Sequence, residues 1–149
     1  MVSELPEINL KAIGTVRNEI KEPVRRPGKD VISEIVVDSG LTEALDNLDE
    51  FSHIIVLYWI HKSPRRAPKK VRPRGNPDLE LMGVFATRSP DRPNPIGKST
   101  VRLLERRGNV LKVQGLDAID GTPVLDIKPY IPGYDSADDA RTPSWVVKR

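Results

Sequence analysis

The chain has 149 residues, with 24 Lys and Arg against 21 Asp and Glu for a formal charge of +3, and 38% hydrophobic residues, enough for one core and a single domain over 1–149. It has no cysteine and only two histidines, His53 and His61; disulfides, thiolate metal sites and cysteine nucleophiles are excluded, and no metal is expected. The apolar run 54–60 is too short to cross a bilayer, and no charged-then-apolar leader opens the chain, so a soluble cytoplasmic protein is expected.

Short runs of β-branched residues bounded by Pro, Gly and Asp predict strands over 11–17 and 34–37. Leu41, Ala44, Leu45, Leu48 and Phe51 then recur at three-and-four spacing. They predict a helix packed on the core, with Ser39 as its cap and Glu43 in its first turn, where the charge complements the dipole. The run 53–60 is almost wholly apolar, which predicts a central strand covered on both faces. Next come seven cations, Lys62, Arg65, Arg66, Lys69, Lys70, Arg72 and Arg74, with no acid among them. Pro64, Pro68 and Pro73 forbid a regular helix there, and the segment 62–76 reads as an extended basic loop. Such an arm suits a polyanion backbone, or is simply a solvated loop. Further strands are predicted over 79–87, 99–107, 110–115 and 123–126, with Arg107, Gly108 and Asn109 as a hairpin turn. Many short strands and one helix predict a mainly β domain, either barrel or sandwich. No G-x-G-x-x-G follows any strand, so the usual dinucleotide-binding loop is missing.

The segment 86–99, ATRSPDRPNPIGKS, is the densest feature. Pro90, Pro93 and Pro95 fix φ and push Ser89, Arg92 and Asn94 towards extended backbone, so the loop is stiff before any ligand arrives. A stiff loop carrying Arg88, Arg92 and Asn94 loses little entropy on binding a charged or planar ligand. A rigid turn with solvated arginines has the same composition. Arg25, Arg26, Pro27 and Gly28 form a second basic turn, and His61 and Lys62 stand at the end of the apolar strand. In LDAIDGTPVLDIKPY, Asp117, Asp120 and Asp126 flank a Gly-Thr-Pro turn that needs Asp120 and Gly121 on structural grounds alone.

The segment 86–99, together with IGTVRNEIKEPVRRPG, LDEFSHIIVLYWIH and LDAIDGTPVLDIKPYIP, resembles the TsaA-like family, in the family's order and over most of the chain. The resemblance implies a single-sheeted antiparallel β-barrel with one or two short helices, usually a homodimer with the cofactor pocket near the interface. It implies methyl transfer from S-adenosylmethionine to N6 of threonylcarbamoyladenosine 37 in tRNA; a barrel that binds S-adenosylmethionine or RNA without turnover is the alternative. Arg26, Pro27, Gly28, His61, Lys62, Arg88, Asn94, Lys98, Leu116, Asp117, Ile119, Asp120, Gly121 and Thr122 would hold the cofactor, Arg88 through the methionine carboxylate. Lys98 departs from the apolar residue the family has after the glycine. Asp126 is the first choice for a general base and Asp120 the second, with Tyr130 orienting the target base. Arg65, Arg66, Lys69, Lys70 and Arg72 would contact tRNA, and Arg92 or the arm would pair with the threonyl carboxylate. Bacterial members carry a further C-terminal domain, and the expectation here is the core without it.

Overall fold

A computed structural model of the chain describes residues 4–23, 28–64 and 66–146. Six strands close on themselves: β1 (Gly14–Arg17), β2 (Ile32–Val37), β3 (His53–Trp59), β6 (Ile96–Arg107), β7 (Val110–Gln114) and β8 (Pro123–Pro129). Their order around the barrel is β1-β2-β7-β6-β3-β8, every pairing is antiparallel, and the Gly14↔Val124 pair joins first strand to last. Closure leaves no sheet edge open, which is how the expected single-sheeted barrel arises. Two short strands, β4 (Lys70–Val71) and β5 (Met82–Gly83), form a separate ribbon.

Alternation sets the core. Ile35, Val37, Ile54, Val56, Val101, Leu111, Val113 and Val124 point inward and are at most 2% exposed, each burial contributing about 1.5–3 kcal/mol. Tyr58 is the one aromatic ring among them. β3 lies between β6 and β8, as its apolar run predicts, although its outward Leu57 and Trp59 are only half-buried. The turn at 108–109 is the expected hairpin, with Gly108 at φ +61°.

Three expectations are corrected. The residues 39–51 do not make one helix: they form two 3-10 turns, Ser39–Leu45 and Leu48–Glu50, with Asp38 rather than Ser39 at the first cap position and no acidic residue in its first turn. Asn47 adopts φ +71° and interrupts the run; short polar side chains compete with helical bonding. Only Leu45 of the stripe is fully buried, while Leu41 and Phe51 stay 38% and 37% exposed. The stretch 79–87 is strand only at Met82–Gly83, and then turns through Val84–Ala86. Its partner β4 is bracketed by Pro68 and Pro73, which limit the ladder to two pairs. For the same reason the basic segment is a folded ribbon rather than an extended arm, with a 3-10 turn at Pro73–Gly75.

The alternating strand directions put three irregular loops on one rim: 18–31, 60–95 and 115–122. The opposite rim carries 38–52, the 108–109 hairpin and the chain after Pro129.

Candidate functional site

The three loops of the first rim are tied together by a network that begins at Asp120. Its Oδ1 accepts the Asn18 N–H (3.0 Å), and its Oδ2 pairs with Lys21 Nζ (2.9 Å). These partners, Lys21 first, hold the Asp120 carboxyl below the ordinary carboxylate range. The Asn18 side chain donates to the Ala118 carbonyl (2.9 Å) and to Ser33 Oγ (2.9 Å), fastening 18–20 over 118–120. Lys62 Nζ in turn donates to the Lys21 carbonyl (3.0 Å) and pairs with Glu22 (3.3 Å). Lys62 and Asp120 therefore frame the rim rather than project freely from it. Gly121 has φ +83°, a conformation L side chains rarely adopt, and a β-carbon there would sit 4.0 Å from His61 Nε2. A β-carbon at that distance would be in ordinary contact with the imidazole, so it is the positive φ and not lack of space that favours glycine at 121.

A second cluster lies just inside. The Tyr58 hydroxyl donates to the Asp117 carbonyl (2.8 Å) and lies 3.1 Å from Ser99 Oγ, which accepts the Asp117 N–H (3.3 Å). One hydroxyl pair thus clamps the start of the 115–122 loop onto β6. Burial pushes the Tyr58 hydroxyl up from its ordinary pKa, outweighing a hydrogen bond from Ser99; the charge of Asp117 adds to the rise and that of Arg88 opposes it. Arg88 is exposed and makes no hydrogen bond or ion pair with the described residues. It follows the 3-10 turn Val84–Ala86 and Thr87, not a strand as expected. Asp117 is exposed at the same rim.

The loops of this rim carry Gly28, His61, Lys62, Arg88, Asp117, Ile119, Asp120, Gly121 and Thr122; hydrogen bonds tie Lys62 to Asp120 through Lys21, and Gly121 lies beside His61. Arg26, Pro27 and Arg65 lie outside the described residues. Leu116 is fully buried in the core, so it supports the loop instead of lining a pocket. Thr122 is likewise buried, closing its own turn through Oγ1 to the Ile119 carbonyl (2.7 Å).

Other candidates stand elsewhere. Asp126 is on the outer wall in a cross-strand row with Leu57 and Lys98, paired to Lys128 (2.9 Å). Tyr130 packs edge-on against His53, with ring centroids 6.4 Å apart, at the opposite rim. Seven residues of β8 separate it from Asp120, roughly 20 Å along a strand, so the two do not share a site. Asn94 lines a separate apolar groove of about 410 Å³ on the outer wall, with Trp59, Ile96, Pro123, Leu125 and Ile8 of the chain's beginning.

Among the cations, Arg66 Nε pairs with Asp91 (3.0 Å), whose Oδ1 also accepts the Ala67 N–H (3.1 Å). Asp91 is buried and anchors the basic segment to the 86–99 loop. Arg72 donates to the Leu79 carbonyl within the ribbon. Arg92 Nη1 donates to the Thr87 and Ser89 carbonyls (2.9 and 3.2 Å), so it braces its own loop. Lys69 and Lys70 remain on the exposed ribbon surface. The sequence reading missed Asn18, Lys21, Tyr58, Asp91 and Ser99. An acid inside a cationic loop was the available signal for Asp91; nothing local marks the others.

Among the described residues no group of His, Asp and Glu is arranged to hold a metal, and no helix is long and apolar enough to cross a membrane.

A closed antiparallel barrel with three polar loops braced on one rim defines a small barrel-type binding domain, distinct from the α/β folds that bind nucleotides at a glycine-rich turn. Residues 18–136 match the family model of the tRNA-methyltransferase O N-terminal domain, and the chain belongs to that family. It is 42% identical over 143 residues to a probable S-adenosyl-L-methionine-binding protein of Pyrococcus abyssi, covering 93% of this chain and 76% of that protein. With the tRNA (adenine(37)-N6)-methyltransferase of Escherichia coli it shares 38% identity over 148 residues, 91% of this chain and 63% of the enzyme. The crystal structure of TrmO from P. aeruginosa superposes with a TM-score of 0.77 at 34% identity, covering 95% of this chain and 63% of that one. The chain thus spans less than two thirds of both bacterial proteins.

Proposed function

We propose that the rim formed by 18–31, 60–95 and 115–122 binds S-adenosylmethionine, and that the protein transfers its methyl group to N6 of threonylcarbamoyladenosine 37 in tRNA. The observation that carries this reading is the braced rim itself, where the Asn18–Lys21–Asp120 network and the Tyr58–Ser99 clamp fix the 115–122 loop beside the loops that carry His61 and Arg88. The residues suit the cofactor: a guanidinium for its carboxylate, and backbone and side-chain polar groups of the rim for its adenosine. When bound, S-adenosylmethionine supplies an electrophilic methyl on a sulfonium.

The chain's own residues supply positioning. Asp120 and Asn18 brace the 115–122 loop, Tyr58 and Ser99 fix its start, and Arg88 orients the ligand. Holding nucleophile and methyl carbon close and aligned accounts for most of the acceleration such a displacement needs. The N6 proton must leave as the N–CH3 bond forms and the S–CH3 bond breaks, and its removal makes a nitrogen whose lone pair is delocalised into ring and carbonyl a better nucleophile. Asp126 stands on the outer wall and Asp120 is committed to Lys21, so the proton acceptor in this reading is His61, with Asp117 another acid-base group at the rim. The ribbon cations Lys69, Lys70 and Arg72 supply the anionic substrate with phosphate contacts. The names of the relatives support both the cofactor and the adenine 37 acceptor.

The proposed assembly is a homodimer. Its support is the apolar outer-wall groove and the exposure of Ile8 (76%), Leu10 (60%) and Ile96 (40%) beside it; light scattering gives the mass directly, and a monomer at micromolar concentration contradicts it. A cytoplasmic location completes the reading.

Calorimetric titration with S-adenosylmethionine tests the site. Binding is expected, and Arg88→Ala should weaken it by about 1.5–3 kcal/mol, the range for a hydrogen bond to a charged group. Absence of heat with wild-type protein contradicts the reading, and unchanged affinity removes Arg88 from the site.

A further inference from the structure

Phe85 is 79% exposed, in the turn that leads directly into the 86–99 loop. Its position is fixed from below. Val84 is buried, its N–H donates to the Lys69 carbonyl (2.9 Å), and the Thr87 N–H and hydroxyl both donate to the Val84 carbonyl (3.1 and 2.8 Å). The Arg92 guanidinium, held by its bonds to Thr87 and Ser89, stands 6.0 Å from the centre of the Phe85 ring. A large apolar ring thus stands in water on a pinned turn, 79% exposed, with a cation on one side of it. Lys69 lies beside it through the Val84 bond, and Lys70 pairs with Gly83 two residues before it. The acids of the ribbon, Asp78 and Glu80, lie on the connection between β4 and β5.

An ordered aromatic ring among cations is the arrangement that receives an unpaired base. The π-face takes the base, the guanidinium polarises the ring from behind, and the ammonium groups meet flanking phosphates. We propose that Phe85 is a stacking platform for an unpaired nucleobase of the RNA substrate, with Lys69 and Lys70 on the adjoining phosphates. This rests on the reading that the substrate is tRNA, and adds the contact that would splay its loop against the barrel.

The test uses an anticodon stem-loop RNA with 2-aminopurine placed in turn at each loop position next to adenine 37. Wild-type protein should bind it and quench one of these probes. Phe85→Ala should weaken binding roughly 5- to 100-fold and abolish the quenching, with the salt dependence of affinity unchanged because no charge is lost. Phe85→Leu should behave like Ala and Phe85→Trp like wild type. S-adenosylmethionine affinity and melting temperature should stay the same in all three, since the side chain is exposed. Equal RNA affinity for wild type and Phe85→Ala overturns the platform while leaving the tRNA reading intact. No RNA binding by wild-type protein overturns the tRNA reading, and the platform with it.

Discussion

The glycine near the start of β6 shows how one residue can be fixed by a partner far away in sequence. Gly97 pairs with Tyr58 across β6 and β3, and a β-carbon on it would lie 2.3 Å from Tyr58 Cε2 and 2.6 Å from Cζ. The ring covers the backbone so closely that no other residue fits without displacing it, and that ring carries the hydroxyl which clamps the 115–122 loop. Gly97→Ala should therefore cost about 1–3 kcal/mol, the usual penalty of overpacking, read as a lower midpoint in chemical denaturation; an unchanged midpoint contradicts the packing. Asp120 shows the electrostatic counterpart. Its pKa is depressed by Lys21 and Asn18, so its stabilisation of the rim is fully present above the unfolded value near 3.9 and is lost as pH falls through the lower folded value. Affinity for S-adenosylmethionine should be insensitive to this group from pH 8 down to about pH 5 and fall only under about pH 4. A decline centred near neutral pH that Asp120→Asn removes would contradict the latch. The sequence exposed Asp120 and Gly121 because a turn announces itself locally. It concealed Tyr58 inside an apolar strand, and it offered Asp126 and Tyr130 because their positions along the chain do not reveal that one faces outward and the other lies past the far end of β8.

Among the elements, the strands of the barrel were readable and the segments outside it were not. Ile54, Val56 and Tyr58 alternate with outward side chains, as do Leu111 and Val113, because each strand has a full-length neighbour on both sides. The three-and-four spacing of 41–51 promised a helix, but the left-handed Asn47 divides the stretch, and only Leu45 reaches the core deeply enough to be buried. The basic segment was readable as charge and not as shape: prolines excluded the helix, while the ribbon depends on pairing with Met82 and Gly83 and on buried Asp91. Its cations accordingly divide into those that build the fold and those that face solvent. Changing Lys69 and Lys70 together to Ser should lower tRNA affinity and reduce the steepness of its salt dependence by roughly one to two units in the log-log slope. Binding of S-adenosylmethionine should stay unchanged. An unaltered slope would show that these lysines are merely solvated.

For the molecule as a whole, barrel closure is what makes a rim at all. Six antiparallel strands deliver β1–β2, β3–β6 and β7–β8 connections to the same end, where an inward cluster at Tyr58 and an outer network at Asp120 hold them rigid. Preorganisation of this kind is what a methyl transfer without a covalent intermediate requires. The central claim is that this rim carries out that transfer on a modified adenosine. The most direct measurement incubates the protein and S-adenosylmethionine with two tRNA preparations, one with and one without threonylcarbamoyl on adenosine 37, and analyses the nucleosides by mass spectrometry. One added methyl on N6 of the modified nucleoside, absent from the unmodified tRNA, is the result the account predicts; no methylation of either tRNA, or equal methylation of both, would contradict it.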